Sequence, residues 1–226
     1  MALTLYHFNN SVCSQKVRLA LAEKGLEWDE RFVDLVKLEQ YEPDYVQLNP
    51  KGVVPTLVHD GQVVIESTLI CEYLDDTFPD PSLKPAHPSG CAAMRVWTKA
   101  VDEGIHEGVV ALSFSAMFRE RMKGMTDEQR ARQFRNIGDP VRRDRDRAVF
   151  EQGVESSYVF NAIAVYETTF SKLEKVLVDG RDWIMGDQYT LAEINFAPYV
   201  ARLEYMGLLE IWIENRPKVS AWWNRI

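Results

Sequence analysis

The stretch Asn49–Tyr73, NPKGVVPTLVHDGQVVIESTLICEY, constrains the fold more than any other part of the chain. Asn49-Pro50 and Lys51-Gly52 punctuate a loop. Pro55 cannot donate to a strand ladder, so it belongs at the first residue of a strand, and Thr56, Leu57 and Val58 read as that strand. Asp60-Gly61 is a hairpin turn, because glycine accepts the positive φ such a turn needs. Val63, Val64 and Ile65 form the return strand, and the spacing of Leu69, Ile70, Tyr73 and Leu74 is helical. An acid and a hydroxyl, Glu66 and Ser67, therefore stand where a strand becomes a helix. Free N–H groups at such a place can bind a carboxylate, with Ser67 adding its hydroxyl, and Glu66 can hold an ammonium. The pair fits the amino-acid end of a γ-glutamyl compound. An ordinary serine cap, with an acid favoured by the helix dipole, fits the same residues. Taken alone, the cap is the more economical account.

The segments before this stretch complete a small α/β unit. Leu3–Phe8 reads as a strand and Asn9, Asn10 and Ser11 turn the chain. A helix runs from Cys13 through Val17, Leu19, Ala20 and Leu21 to Lys24, and Gly25 stops it. Trp28–Val33 is a second strand, so strand, helix and strand imply a parallel unit with a right-handed crossover. Residues 34–50 are polar and irregular, with a short helix near Pro43–Gln47. The order βαβ-α-ββα ends near Thr77, which sets a first domain at residues 1–78.

Residues 79–90, PDPSLKPAHPSG, hold four of the ten prolines and read as a linker. Beyond it, residues 91–226 read as an all-α helical bundle. Met94, Trp97, Val101 and Ile105 form one stripe of a long helix. Thr126 before Asp127-Glu128 signals another helix start, and Asp139-Pro140 an interruption. One long helix is expected over about residues 150–178, with Val154, Tyr158, Val165, Phe170, Leu173 and Leu177 inward. Thr190-Leu191-Ala192-Glu193 is a capping box, assigned to structure rather than chemistry. Arg216-Pro217 starts a final helix with Val219, Trp222 and Trp223. The chain stops inside that pattern, so the natural protein is expected to continue.

A net charge of −8 argues against nucleic acid as a general partner. No apolar run approaches a membrane span, and the start MALTLYHFNN has no basic leader before its strand, so neither membrane nor signal peptide is expected. Three widely spaced cysteines make no disulfide framework and suit a reducing, cytoplasmic setting. The four histidines show no metal-ligand spacing with any cysteine, so no metal is expected. The run Arg142, Arg143, Arg145 and Arg147, alternating with Asp144 and Asp146, reads as a solvated face.

Ser11-Val12-Cys13-Ser14 lies between the first strand and the first helix. A thiol or hydroxyl there sees the positive end of the helix dipole, which favours thiolate. Such a cluster can lower the pKa of a bound thiol, Cys13 can itself attack and form a mixed disulfide, or Ser11 simply caps the helix beside a small buried cysteine.

Three resemblances bear on these residues. Val54-Pro55 with Leu57, Asp60-Gly61 and Glu66-Ser67 resembles the V-P-x-L…D-G…[ES]-S pattern of the thioredoxin-like domain of glutathione transferases. That implies a cis Val54-Pro55 bond, a Val54 main chain free to pair with the cysteinyl part of glutathione, and Glu66-Ser67 on its γ-glutamyl end. It also implies Gln40, and more weakly Lys51, at the glycine end. The stretch Ser11–Gly25, SVCSQKVRLALAEKG, is similar to the S-x-C-S-x-[KR]-x-R-x-A motif of zeta-type transferases and of dehalogenases acting on chlorinated hydroquinones. In the first Ser11 would activate the thiol. In the second, as in beta-class enzymes, Cys13 would form the mixed disulfide. Val12 and Gln15 depart from the zeta pattern. Phe32-Val33-Asp34, Leu38-Glu39-Gln40, residues 66–76 (ESTLICEYLDD), Met94–Lys99 with Val101-Asp102-Glu103, and Gln188–Ala192 look like the β-aryl ether cleaving enzymes, which make Ser14 the candidate. In this family the region of Phe114, Met117, Phe118 and Met122 lines the pocket of a hydrophobic electrophile, whereas by spacing alone the set is core. The resemblances together imply a homodimeric glutathione transferase with glutathione as co-substrate. A Cys13-dependent oxidoreductase or reductive dehalogenase, or a non-catalytic binding module, are the alternatives.

Overall fold

The computed structural model describes residues 2–226. Packing divides them into two compact units. One comprises the residues up to Thr98 together with Trp183–Pro198, and the other Lys99–Asp182 together with Tyr199–Ile226.

The first unit contains β1 (Leu3–His7), α1 (Val12–Glu23), β2 (Asp29–Phe32), α2 (Pro43–Leu48), β3 (Thr56–His59), β4 (Gln62–Ile65) and α3 (Ser67–Thr77). Its sheet has the order β2-β1-β3-β4. β1 runs parallel to β2, with Thr4 opposite Asp29, and antiparallel to β3, with Leu5 opposite Leu57. The β3–β4 hairpin turns at Asp60 and Gly61, both at positive φ (46° and 84°), as the primed two-residue turn requires. Period-2 alternation puts Leu3, Leu5 and His7 on the buried face of β1. α1 packs on α3, burying Val17, Ala20 and Leu21 of one and Ile70 and Leu74 of the other. α1 stops because Gly25, at φ 61°, takes the left-handed position. The Leu26 N–H then reaches the Leu21 carbonyl (3.0 Å) and the Gly25 N–H that of Ala22 (2.9 Å).

The prolyl segment 79–90 lies in this first unit. Leu83 is buried; its N–H donates to Asp75 Oδ1 (2.7 Å) and its carbonyl accepts the Leu191 N–H (2.9 Å). Asp75 in turn accepts from the enclosed Lys24 ammonium at 2.5 Å.

The remaining helices are α4 (Pro88–Ala100), α5 (His106–Ser113), α6 (Arg119–Lys123), α7 (Asp127–Asn136), α8 (Pro140–Gln152), α9 (Ser157–Val176), α10 (Leu191–Tyr205), α11 (Glu210–Ile213) and α12 (Pro217–Trp223). Single π-helical turns, Val101–Ile105 and Phe114–Phe118, flank α5. The stripe Met94, Trp97, Val101 and Ile105 is buried as expected. Thr126 and Gln129 close a reciprocal capping box on α7, and Asp139 caps α8 ahead of Pro140. In the first turn of α10, Glu193 is fully buried and accepts from the Ile184 N–H (2.6 Å), the Thr190 N–H (3.0 Å) and the Thr190 hydroxyl (3.0 Å). Burial pushes its carboxyl up while those donors pull it back.

Two sequence expectations are corrected. The single helix over 150–178 is instead α8, a 3-10 turn at Gly153–Glu155, and α9 capped by Ser156. Gly153 sits at φ 62°, ψ −130°, which side chains rarely adopt, and the Arg119 guanidinium lies 3.0 Å from where a Cβ would be. Because the helix restarts at Ser156, its apolar phase shifts. Val159, Ala162, Tyr166, Phe170 and Leu173 point inward, whereas Val154 is 66% exposed and Tyr158 and Val165 are half-buried. The arginine run is not uniformly solvated either. Arg145 is buried and paired with Asp146 at 3.0 Å, and burial raises the Asp146 carboxyl above its ordinary value. Among the described residues no helix is long and apolar enough to cross a membrane, and no cluster of three or more His, Cys, Asp or Glu could hold a metal ion.

Candidate active site

Two helix N-termini of the first unit carry Ser11, Cys13, Ser14, Glu66 and Ser67. The turn between β1 and α1 is closed by the Ser11 N–H donating to the Phe8 carbonyl (3.0 Å). Ser11 is the N-cap of α1, with an extended backbone, and its Oγ accepts the Ser14 N–H (3.2 Å). Cys13, the second helical residue, is outside any disulfide and of intermediate exposure. Ser14 is fully buried, and its Oγ accepts the Phe8 N–H at 3.4 Å. The three neighbouring candidates thus have separate environments. Ser11 and Cys13 reach the surface and Ser14 is sealed beneath them.

At the second terminus Ser67 is not the cap. Glu66 occupies the cap position of α3, at φ 70° and ψ 109°, and makes no side-chain hydrogen bond to its own helix. A non-glycine residue held at such a φ is strained, and strain of this kind collects at ligand-binding sites. Ser67 follows as the first helical residue, 8% exposed. The plain serine cap, which satisfied the sequence alone, is therefore not what these residues form. The Glu66 carboxylate instead meets the Lys51 ammonium at 2.5 Å, both side chains being well exposed.

The loop before β3 runs through a cis Val54-Pro55 bond. Tyr45 and Asn49 brace it by donating to the Val53 carbonyl (2.6 and 2.9 Å) and bonding the Thr56 hydroxyl. Burial pushes the Tyr45 phenol up to about 12, so it remains a donor. Among the described residues the main chain of Val54 itself makes no hydrogen bond. Gln40 lies in a short 3-10 turn, Glu39–Tyr41, and its buried Oε1 has no hydrogen-bond partner. A buried amide left unpaired is costly, and a ligand group at this place would remove the cost.

Phe114, Met117 and Phe118 belong to the second unit, on the π-turn after α5. Phe114 is buried, Met117 half-buried and Phe118 exposed, with the two phenyl rings edge-to-face at 6.3 Å. The set is not wholly core, because the widened turn rotates its last residue outward.

Sequence reasoning passed over several residues that brace this site. Lys16 is fully enclosed and donates to the Thr68 hydroxyl at 2.6 Å, which donates to Asn195 Oδ1 (3.1 Å). Arg18 reaches back from α1 to Asn9 and His7. Both lie in the motif around Ser11, but the partner of Lys16 is on α3 and those of Arg18 are on β1 and the turn after it, so side-chain pairing across elements left no local signal.

Two family models match the chain: the glutathione S-transferase N-terminal domain over residues 10–77 and the glutathione S-transferase C-terminal domain over residues 127–225. Protein LigF of Sphingobium sp. (strain NBRC 103272 / SYK-6) is 37% identical over 238 residues, covering 100% of this chain and 90% of that protein. The tetrachloro-p-hydroquinone reductive dehalogenase of Sphingobium chlorophenolicum is 31% identical over 232 residues, covering 99% and 91%. The crystal structure of beta-etherase LigF from Sphingobium sp. strain SYK-6 superimposes with a TM-score of 0.88 at 34% identity, covering 100% of this chain and 94% of that one. With both domains matched and relatives of this identity aligned end to end, the chain belongs to the glutathione S-transferase family.

Proposed function

We propose that the chain is a cytoplasmic, homodimeric glutathione transferase in which the thiolate of bound glutathione attacks an electrophilic carbon of an aromatic or aryl-ether substrate. In ether cleavage a carbon–sulfur bond forms as the carbon–oxygen bond breaks. The electron pair leaves on the aryl oxygen, and the proton given up by the thiol ends there.

The carrying observation is the strained Glu66 backbone at the head of α3, with a carboxylate that serves no cap. In this reading Glu66 takes the γ-glutamyl ammonium, and Ser67 with the first N–H groups of α3 takes the α-carboxylate. The unbonded Val54 main chain, beside Pro55, pairs with the cysteinyl part, and the Gln40 amide meets the glycine end. The glutathione-binding domain is residues 1–78, followed by the 79–90 segment and the helical domain 91–226. Ser11 is assigned to thiol activation ahead of Ser14. Its Oγ accepts from Ser14, which leaves its O–H to donate to a thiolate, whereas Ser14 is sealed. Phe114, Met117 and Phe118 are assigned to a flat hydrophobic electrophile. End-to-end similarity to a β-etherase favours an aryl ether. Exposed Val63, Leu69 and Val96 supply apolar surface for self-association, and three cysteines outside any disulfide suit a reducing compartment.

A second reading makes Cys13 the nucleophile. Its partly exposed thiol sits in the first turn of α1, where the helix dipole favours thiolate, and a reductive dehalogenase is 31% identical. Turnover of a panel of aryl ethers, haloaromatics and disulfides with glutathione separates the two. Cys13→Ser should keep most ether cleavage and lose any disulfide or dehalogenase activity. Loss of all glutathione-dependent turnover in that variant would put Cys13 in Ser11's place. Retention on immobilised glutathione with no turnover of any panel member would sink the enzyme reading.

A further inference from the structure

We infer that Arg18 is a positioning residue for the β1–α1 turn, locked in place by His7 and Glu30, and that it sets the placement of Ser11 at the thiol. The inference rests on the proposed reading of Ser11. The turn Phe8–Ser11 is held at its two ends by the Ser11 N–H on the Phe8 carbonyl and the Phe8 N–H on Ser14 Oγ. Its middle is held by Arg18. Nη1 donates to Asn9 Oδ1 (3.1 Å) and Nη2 to the Asn9 carbonyl (3.2 Å), which also accepts from Gln15 Nε2 (3.4 Å). A planar guanidinium can satisfy both Asn9 oxygens at once, and a lysine ammonium cannot.

What aims the guanidinium is His7. Nη1 of Arg18 also lies 3.4 Å from His7 Nδ1, while His7 Nε2 lies 2.7 Å from Glu30 Oε1. Only one tautomer serves both contacts. Nε2–H donates to the Glu30 carboxylate and Nδ1 accepts from Arg18. His7 is 1% exposed, with Trp28 and Phe32 edge-on to its ring at 5.4 and 6.4 Å. The charged groups that face it are Glu30 from β2 and Arg18 from α1. Two strands and a helix thus converge on one backbone turn, and each contact in the chain Glu30–His7–Arg18–Asn9 has its donor and acceptor matched. Protonating His7 would turn the Nδ1 acceptor into a donor against a guanidinium, so acid would release the clamp.

The test replaces Arg18 by Met and by Lys, and the exposed Glu30 by Gln. Three readouts apply: amide hydrogen exchange at Ser11 and Ser14, the kcat and glutathione KM of an aryl-ether assay, and thermal unfolding. In Arg18→Met those two amides should exchange about 10-fold faster and kcat should fall about 10-fold. The glutathione KM should stay within about twofold, because Glu66 and Ser67 hold the other end of the tripeptide. Arg18→Lys should restore little of either. Glu30→Gln neutralises an exposed carboxylate without threatening the fold, and should speed exchange at the same amides by a few-fold, roughly the effect of exchanging a charged acceptor for a neutral one. Unchanged exchange and kcat in a folded Arg18→Met overturns the clamp while leaving the transferase reading intact. Full rescue by Arg18→Lys overturns it too, since charge alone would then suffice. Faster exchange in a protein that turns over no electrophile upholds the clamp and sinks the transferase reading instead.

Discussion

Ser11 is assigned two tasks, and one pair of substitutions can separate them. As the N-cap of α1 its Oγ accepts one bond, from the Ser14 N–H at 3.2 Å. As the proposed partner of the thiolate it donates its O–H. Ser11→Ala loses both. The lost cap should cost about 1 kcal/mol, in the usual range for serine at an N-cap. α1 would not unravel, because Val12, Val17, Ala20 and Leu21 remain buried. The lost donor should slow turnover about 10- to 100-fold, equivalent to about 1.4–2.7 kcal/mol of transition-state stabilisation. Ser11→Asp then discriminates. Aspartate caps as well as serine, so urea unfolding should show stability restored to within a few tenths of a kcal/mol. Its carboxylate, however, has no proton to give and repels a thiolate, so turnover should be no better than in Ser11→Ala. Initial rates with a fixed aryl ether and varied glutathione, alongside urea titration of the same preparations, give both quantities. If Ser11→Asp recovered turnover together with stability, Ser11 would be a cap and nothing more. If Ser11→Ala lost stability alone, thiol activation would belong to Cys13 or to the helix N–H groups.

Ser67→Ala should weaken glutathione binding by about 1–3 kcal/mol, the cost of a lost hydrogen bond to a charged group; unchanged affinity by calorimetry would remove Ser67 from the γ-glutamyl site. Glu193→Ala should destabilise the fold by about 3–5 kcal/mol, because the buried Ile184 and Thr190 N–H groups both lose their acceptor; a loss under about 1 kcal/mol in chemical denaturation would mean the box is dispensable. His7 gives a pH signature. Burial first, and then Arg18, hold its imidazole below the ordinary 6.5 against the pull of Glu30. The unfolded chain therefore takes up a proton at a pH where the folded chain does not. The His7 contribution to stability should be constant above 6.5 and fall as pH drops below it, by at most about 1.4 kcal/mol per unit. His7→Gln should flatten that limb between its ordinary pKa and the lower folded one, and an unaltered limb would show that another group governs it.

The sequence by itself determined the features whose cause is local. Asp60-Gly61 fixed the hairpin because a two-residue turn needs positive φ at both positions. Gly25 ended α1, Thr126 and Gln129 opened α7, and the periodic Met94, Trp97, Val101 and Ile105 faced inward, each within a span of a dozen residues. The strand-to-helix turns that hold the candidate residues were legible for the same reason. Tertiary structure decided what depends on partners far along the chain. The cap position of α3 fell to Glu66 rather than Ser67, with Lys51 on its carboxylate from fifteen residues away. Ser14 became a sealed brace while Ser11, three residues earlier, kept access to solvent. The phase of α9 was reset by a left-handed Gly153 packed on Arg119, and Arg145 was drawn out of an apparently solvated run. Arg18 meets His7 on β1, and His7 meets Glu30 only once β1 and β2 pair. Helix and turn signals act through neighbouring dihedrals and so survive in a linear reading. Burial, hydrogen-bond partners and access to a ligand arise from packing across the chain, and a linear reading does not contain them.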